Sequence, residues 1–124
     1  MKYLLDSNIV IRLTMDLSVP LRQRVGECDA DDMVTSAVAL AEVYFGSANE
    51  KPPPVEQLTA FLECVEVLDF DSAAAKAYAT IPFKRGSFDR LIAAHALSRG
   101  LTVITDNEKH FADVPGLKVE NWTI

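Results

Sequence analysis

Cysteine is scarce in this chain of 124 residues: there are two, Cys28 and Cys64, at no spacing that a metal site uses. The first residues, MKYLLDSNIVIRL, carry one lysine, an acid inside the apolar stretch and no small-residue cleavage site, so no export signal is read there. The expectation is two buried free thiols rather than a disulfide, in a cytoplasmic protein. Long apolar runs are missing too. Asp, Glu or Arg interrupts each one well before it could cross a bilayer, which excludes a transmembrane helix. Basic residues are outnumbered, 12 against 18 acidic ones, for a net charge of −6. That balance excludes the loose, charge-driven binding to nucleic acid that a basic surface gives. No segment repeats another and none is of low complexity; KPPP at 51–54 reads as a turn, not a linker. The length suits one domain, residues 1–124, with a core of its own.

What remains is a regular alternation of short strands and helices. KYLLD (2–6) is an apolar run closed by an acid, and SNIVIRL after it changes to helical spacing. PLRQRVGEC (20–28) places a proline in a first helical turn, and DMVTS (32–36) is strand-like. AVALAEVYFG (37–46) suits a helix with Val38, Ala41 or Glu42, and Phe45 along one side and Gly46 as its end. Residues 52–65 enter through prolines and repeat apolar side chains at Val55, Leu58, Phe61, Leu62 and Val65, an amphipathic helix. EVLDF (66–70) reads as a strand and DSAAAKAYATI (71–81) as a capped, alanine-rich helix. SFDRLIAAHALSRG (87–100) is a helix between a Ser87 cap and a Gly100 end. LTVIT (101–105) is a buried type of strand, NEKHFADV a helical turn and LKVENW a last, weak strand. The alternation predicts an α/β fold, a three-layer α/β/α sandwich around a central parallel sheet of about five strands.

Four acids sit where carboxylates need a reason. In open parallel sheets, ligands bind at the carboxyl ends of the strands. Asp6 closes the first strand and Asp106 the fourth; Asp89 lies in the first turn of the helix leading into that strand, and Glu42 interrupts an apolar helix. Each has a structural explanation. Asp6 and Asp106 can cap the helices that follow them, Asp89 suits a helix N-terminus, and Glu42 can lie on an exposed helix edge. If all four converge, they cannot all stay charged unaided, because two carboxylates about 4 Å apart repel by roughly 4 kcal/mol at an effective dielectric of 20. A divalent cation would neutralise them, and an all-oxygen donor set suits Mg²⁺, with Mn²⁺ as a substitute, better than zinc.

These segments resemble the PIN-domain ribonucleases, specifically VapC-type toxins of bacterial toxin–antitoxin pairs. The likeness is carried by LLDSNIVI, TSAVALAEVYFG, FDRLIAAHALSRGLTVITDNEKHF and VPGLKVENW, in that order and spacing, and covers nearly the whole chain. It implies Asp6, Glu42, Asp89 and Asp106 as the catalytic acids. Asp6 and Asp89 would be the main metal ligands, with Glu42 and Asp106 binding directly, through water, or serving as base. Asp106 occupies a position where the family often has Asn. Ser7, Thr105 and Asn107 match supporting positions beside the acids. The connection PFKRGS (82–87) is shorter than the family's, which bears on the edge of the groove and on substrate choice. The implied activity is Mg²⁺-dependent hydrolysis of RNA, with tRNA the leading target, leaving 5′-phosphate and 3′-hydroxyl ends. The implied partners are a VapB-type antitoxin and a second copy of the chain, in a homodimer that forms a heterotetramer or larger assembly with antitoxin. Setting the four acids aside leaves 14 carboxylates against 12 bases, a net −2. Lys84, Arg85 and Arg90, with Arg12 and Lys109, are then candidates for holding phosphates, each also explicable as surface charge. The apolar stripe of Leu58, Phe61 and Leu62 suits either a partner or the core. His95 and His110 are read as structural.

Two other readings stay open on the acids. One is a receiver- or phosphatase-like acidic pocket, although the phosphatase pattern wants a second acid where Asn8 stands. The other is a catalytically silent PIN-like module that only binds RNA or protein.

Overall fold

The computed structural model describes residues 1–124. Five strands form one sheet: β1 (Tyr3–Leu5), β2 (Met33–Ser36), β3 (Glu66–Leu68), β4 (Thr102–Ile104) and β5 (Val119–Glu120). They are ordered β3-β2-β1-β4-β5, and every pairing is parallel. Six helices connect and cover them: α1 (Ser7–Thr14), α2 (Val19–Gly26), α3 (Ala37–Ala48), α4 (Val55–Leu62), α5 (Ser72–Tyr78) and α6 (Phe88–Arg99). The expected α/β architecture and parallel sheet are therefore present.

Side-chain alternation along the strands divides the interior in two. Leu4, Val34, Leu68 and Val103 face one way, into a core completed by Ile92, Ala93 and Ala96 of α6. Leu5, Met33 and Ile104 face the other way, meeting Ile9, Val10, Leu21, Leu58 and Trp122. Helix α3 serves both sides, with Ala39 in the first core and Val43 in the second. Ile104 is fully buried at the end of β4. Ile104→Ala should cost roughly 2–5 kcal/mol, read as a lower urea midpoint with an unchanged slope.

Several local expectations need correction. Helix α3 runs past Gly46 to Ala48, and the Gly46 carbonyl instead accepts the Asn49 and Lys51 amides, at 3.0 and 2.9 Å, as the chain turns away. The side that carries Ala41 and Phe45 faces solvent. Ser87 occupies the cap position of α6, but its hydroxyl makes no capping bond. Gly100 does end that helix, in the left-handed conformation (φ 65°) that glycine adopts without strain. The cysteines are free but not buried: Cys28 is half-buried and Cys64 exposed. Leu58 is buried and Phe61 and Leu62 pack around the second core, so that stripe serves the domain itself. No helix is long and apolar enough to cross a membrane.

Topology positions the site. The chain leaves β1 toward β2 and β3, then crosses back to lay β4 on β1's other side. The strand order reverses between β1 and β4, and a crevice opens at the carboxyl ends of such a pair. Leu5 pairs with Ile104, so the residues that follow, Asp6 and Thr105, emerge side by side at that crevice.

Candidate active site

Asp6 is the most tightly held of the acids. It is 4 % exposed. One carboxylate oxygen accepts the Ser7 amide at 2.7 Å and the other accepts the Thr105 hydroxyl at 2.9 Å. Thr105 is itself fixed, its oxygen accepting the Asn107 amide at 3.0 Å. The Asp6 carboxylate therefore caps α1 and faces the crevice at once. Glu42 arrives from α3, in the second turn beyond β2, and Asp89 from the first turn of α6. One carboxylate oxygen from each of Asp6, Glu42 and Asp89 lies within 4.8 Å of the other two.

Such crowding shows in their proton affinities. Burial, then the neighbouring Asp89, lifts the Asp6 carboxyl from 3.8 to about 6, against the opposing bonds from Thr105 and Ser7. Burial, then Asp6 and Asp89, lifts Glu42 from 4.5 to about 7. Glu42 Oε1 is also buried with no hydrogen-bond partner, an arrangement that costs free energy unless something fills it. Two shifted acids, one orphaned oxygen and a third carboxylate form an all-oxygen donor set. It fits a hard divalent cation, so Asp6, Glu42 and Asp89 could hold a metal ion.

Asp106 lies beside this group, near enough for its charge to add to the rise in the Asp6 carboxyl. Arg12 donates from Nε to one of its oxygens at 3.0 Å, and the other oxygen is buried without a partner. The pair closes the α1 side of the crevice, and Arg12 is engaged through Nε alone, with its side chain still partly exposed. Arg90 must leave the list of phosphate-binding candidates. It is 2 % exposed and reaches back to Asp113 at 2.8 Å. Consecutive helical residues point roughly 100° apart, so adjacency to Asp89 in sequence turned Arg90 into the interior. Lys84 and Arg85 are exposed and do reach the site: with Glu42, Asp89 and His110 they line a depression of about 300 Å³. Lys109 is exposed in the turn beside His110.

His95 is a core residue as expected, its Nδ1 2.8 Å from the Ser36 hydroxyl and its ring edge-on to Phe70. Its charged form is disfavoured, chiefly by burial. His110 was not expected at the site, yet its Nδ1 lies 2.7 Å from an Asp89 oxygen, and Asn107 Nδ2 lies 3.0 Å from its Nε2. Both contacts are satisfied by one tautomer, in which Nδ1–H donates to Asp89 and Nε2 accepts from Asn107. The signal was the tight turn after β4, which folds residues 107–110 back over the start of α6. A metal-ligating carboxylate loses about 10–100-fold in metal affinity when the partner orienting it is removed. His110→Ala should therefore weaken divalent-ion binding by that factor while leaving thermal stability nearly unchanged, as titration calorimetry and melting curves would record.

A parallel α/β sheet with three converging carboxylates at its switch point defines a class of acidic, cation-binding α/β domains. The chain belongs to the PIN domain family, which it matches over residues 3–117, and within it to the VapC ribonucleases. The tRNA(fMet)-specific endonuclease VapC of Shigella flexneri is 33 % identical, over 99 % of both chains. Among solved structures, VapBC2 from Rickettsia felis bound to a DNA fragment from its promoter superposes with a TM-score of 0.86 at 27 % identity, covering 98 % of this chain and 99 % of that one. DNA-bound VapBC from Salmonella typhimurium superposes with a TM-score of 0.82 at 31 % identity, covering 98 % of both chains. This membership replaces the receiver and phosphatase readings of the acids.

Proposed function

We propose that residues 1–124 act as one PIN domain, a Mg²⁺-dependent endoribonuclease toxin that cuts RNA, with tRNA its target, and is neutralised by a VapB-type antitoxin. The observation that carries this reading is the group of Asp6, Glu42 and Asp89 at the β1/β4 crevice, with an unpartnered Glu42 oxygen inside it. The names of the relatives, an endonuclease of tRNA(fMet) and VapBC assemblies, supply the substrate and the partner. A cytoplasmic location fits action on tRNA. The expected assembly is a homodimer that binds antitoxin as a heterotetramer or larger.

Asp6 and Asp89 are the main metal ligands, with Mn²⁺ an acceptable substitute for Mg²⁺, and Glu42 completes the set. When bound, the ion would orient water, lower its pKa and stabilise charge on the phosphorus oxygens. Thr105 and the Ser7 amide hold Asp6 in its orientation; Asn107 holds Thr105, and with His110 it braces Asp89. Glu42, where it binds through water rather than directly, would also be the base that takes up the proton the attacking water loses. Lys84 and Arg85 lie where the strand's next phosphate would pass, and Lys109 extends that edge. Asp106 fixes Arg12 at the crevice wall and, through its unpartnered oxygen, is the fourth acid of the site, binding the ion through water. Hydrolysis leaves 5′-phosphate and 3′-hydroxyl ends.

The test is incubation with total tRNA in Mg²⁺ or Mn²⁺, with EDTA and an Asp6→Asn variant as controls and with sequencing of the new 5′ ends. Discrete cuts that require both the metal and Asp6 support the reading. Cuts that persist in the variant, or no cuts under any metal, overturn it.

A further inference from the structure

Phe45 and Phe88 are 73 % and 55 % exposed, and neither belongs to a core cluster. Both flank the carboxylates. Phe45 lies three residues after Glu42, on the same side of α3, and Phe88 immediately precedes Asp89 at the start of α6. Between the two rings opens a notch of about 450 Å³ whose other walls are Ala41 and Glu42. Ala41 is too small to fill it. Phe88 also lines the neighbouring depression that holds Lys84, Arg85 and Asp89. An apolar, aromatic recess and a cationic one thus meet at the acid group and share Glu42 and Phe88.

We propose that Phe45 and Phe88 form a stacking seat for one unpaired base of the RNA, next to the phosphate that is cut. This rests on the nuclease reading above. A nucleotide carries a flat apolar face and a negative phosphate in one unit, and that pairing matches these two recesses. With a phosphate over the carboxylates and the next one at Lys84 and Arg85, the adjoining base meets the rings. The apolar face of a protein helix would match the notch but not the cations beside it. A base inside a duplex is already stacked and cannot enter, so the seat selects loops and single strands. Phenylalanine has no donor or acceptor, so the rings read the face common to all bases and leave sequence choice to other contacts.

The experiment uses single-stranded oligoribonucleotides of mixed sequence, a hairpin with the same sequence in its paired stem, and the variants Phe45→Ala, Phe88→Ala, Phe88→Leu and Phe88→Trp. Each alanine variant should lower kcat/KM on the single strand about tenfold. Tryptophan at 88 should restore it, and leucine, which keeps the apolar area but not the flat ring, should not. The paired stem should be cut poorly by all. Binding is read separately in the Asp6→Asn background, by quenching of a fluorescent purine analogue in the strand; quenching that Phe88→Ala removes and Phe88→Trp keeps supports the seat even if no cleavage is found. Leucine performing as well as tryptophan, unchanged cleavage and quenching in the alanine variants, or loss of antitoxin binding alone would overturn it. Absence of cleavage by the parent protein with intact quenching would instead count against the nuclease reading.

Discussion

Asp6→Asn is expected to abolish metal-dependent cleavage while making the metal-free protein more stable. Asparagine has the shape of aspartate, so its amide oxygen keeps the 2.7 Å bond from the Ser7 amide, and the Thr105 hydroxyl can rotate to accept from the new amide group. The charge that would bind the ion is gone. Losing even a residue that merely orients a metal ligand costs about 10–100-fold, so losing the ligand should reduce cleavage beyond that range. The stability effect has the opposite sign. Asp6 is 4 % exposed and its carboxyl is raised from 3.8 to about 6, so keeping it ionised in the folded state at pH 8 costs about 2–3 kcal/mol. Asparagine removes that cost. Melting curves in EDTA and cleavage assays in Mg²⁺ should move in opposite directions, and a variant less stable than its parent without metal would refute the claim that burial and the neighbouring acids disfavour the Asp6 charge.

In EDTA, the parent protein should melt lower as pH rises from about 4 to about 7, then level off. Asp6 and Glu42 have folded-state values near 6 and 7 against ordinary values of 3.8 and 4.5. Within that window the folded protein binds more protons than the unfolded chain, so each increase in pH removes stability. Asp71 and Asp113 act oppositely. The Ala74 amide and the Arg90 guanidinium, respectively, hold them below 3.8, so their contribution is lost only in stronger acid. The fall should be about 10 °C from Asp6 alone, with Glu42 adding to it, for a domain of this size. Saturating Mg²⁺ or Mn²⁺ at pH 8 should recover it, because an ion that binds only the folded state adds its binding free energy to stability. A flat profile in EDTA would mean that neither burial nor the neighbouring acids disfavour the charged forms of Asp6 and Glu42.

The strands, the helices and the ends of both were mostly readable from hydrophobic spacing and capping residues, and Asp6, Glu42 and Asp89 stood out because each interrupts an apolar context. What escaped was direction. Arg90 and His110 illustrate it: one lies beside Asp89 in sequence and points inward, the other lies 21 residues away and touches its carboxylate. Which way a side chain leaves a helix depends on the rotation of that helix against the sheet, and local pattern does not set that angle. That Phe45 faces solvent is illegible for a related reason. Helix α3 is buried at Ala39 and Val43, toward both cores, so its apolar residues do not mark a single inner face. The free thiols are expected inside because cysteine is usually buried, but Cys64 lies in the exposed turn between α4 and the edge strand β3.

The placement of β4 beside β1 also bears on synthesis. The bond from Thr105 to Asp6 joins residues 99 positions apart. A ribosome that has made the first two thirds of the chain has released Asp6 and Glu42, but neither Asp89 nor the strand that completes the crevice. With Asp6, Glu42 and Asp89 cutting RNA together as proposed, the nascent polypeptide would stay inactive, and the translating machinery would be shielded from its own product until that product is almost complete.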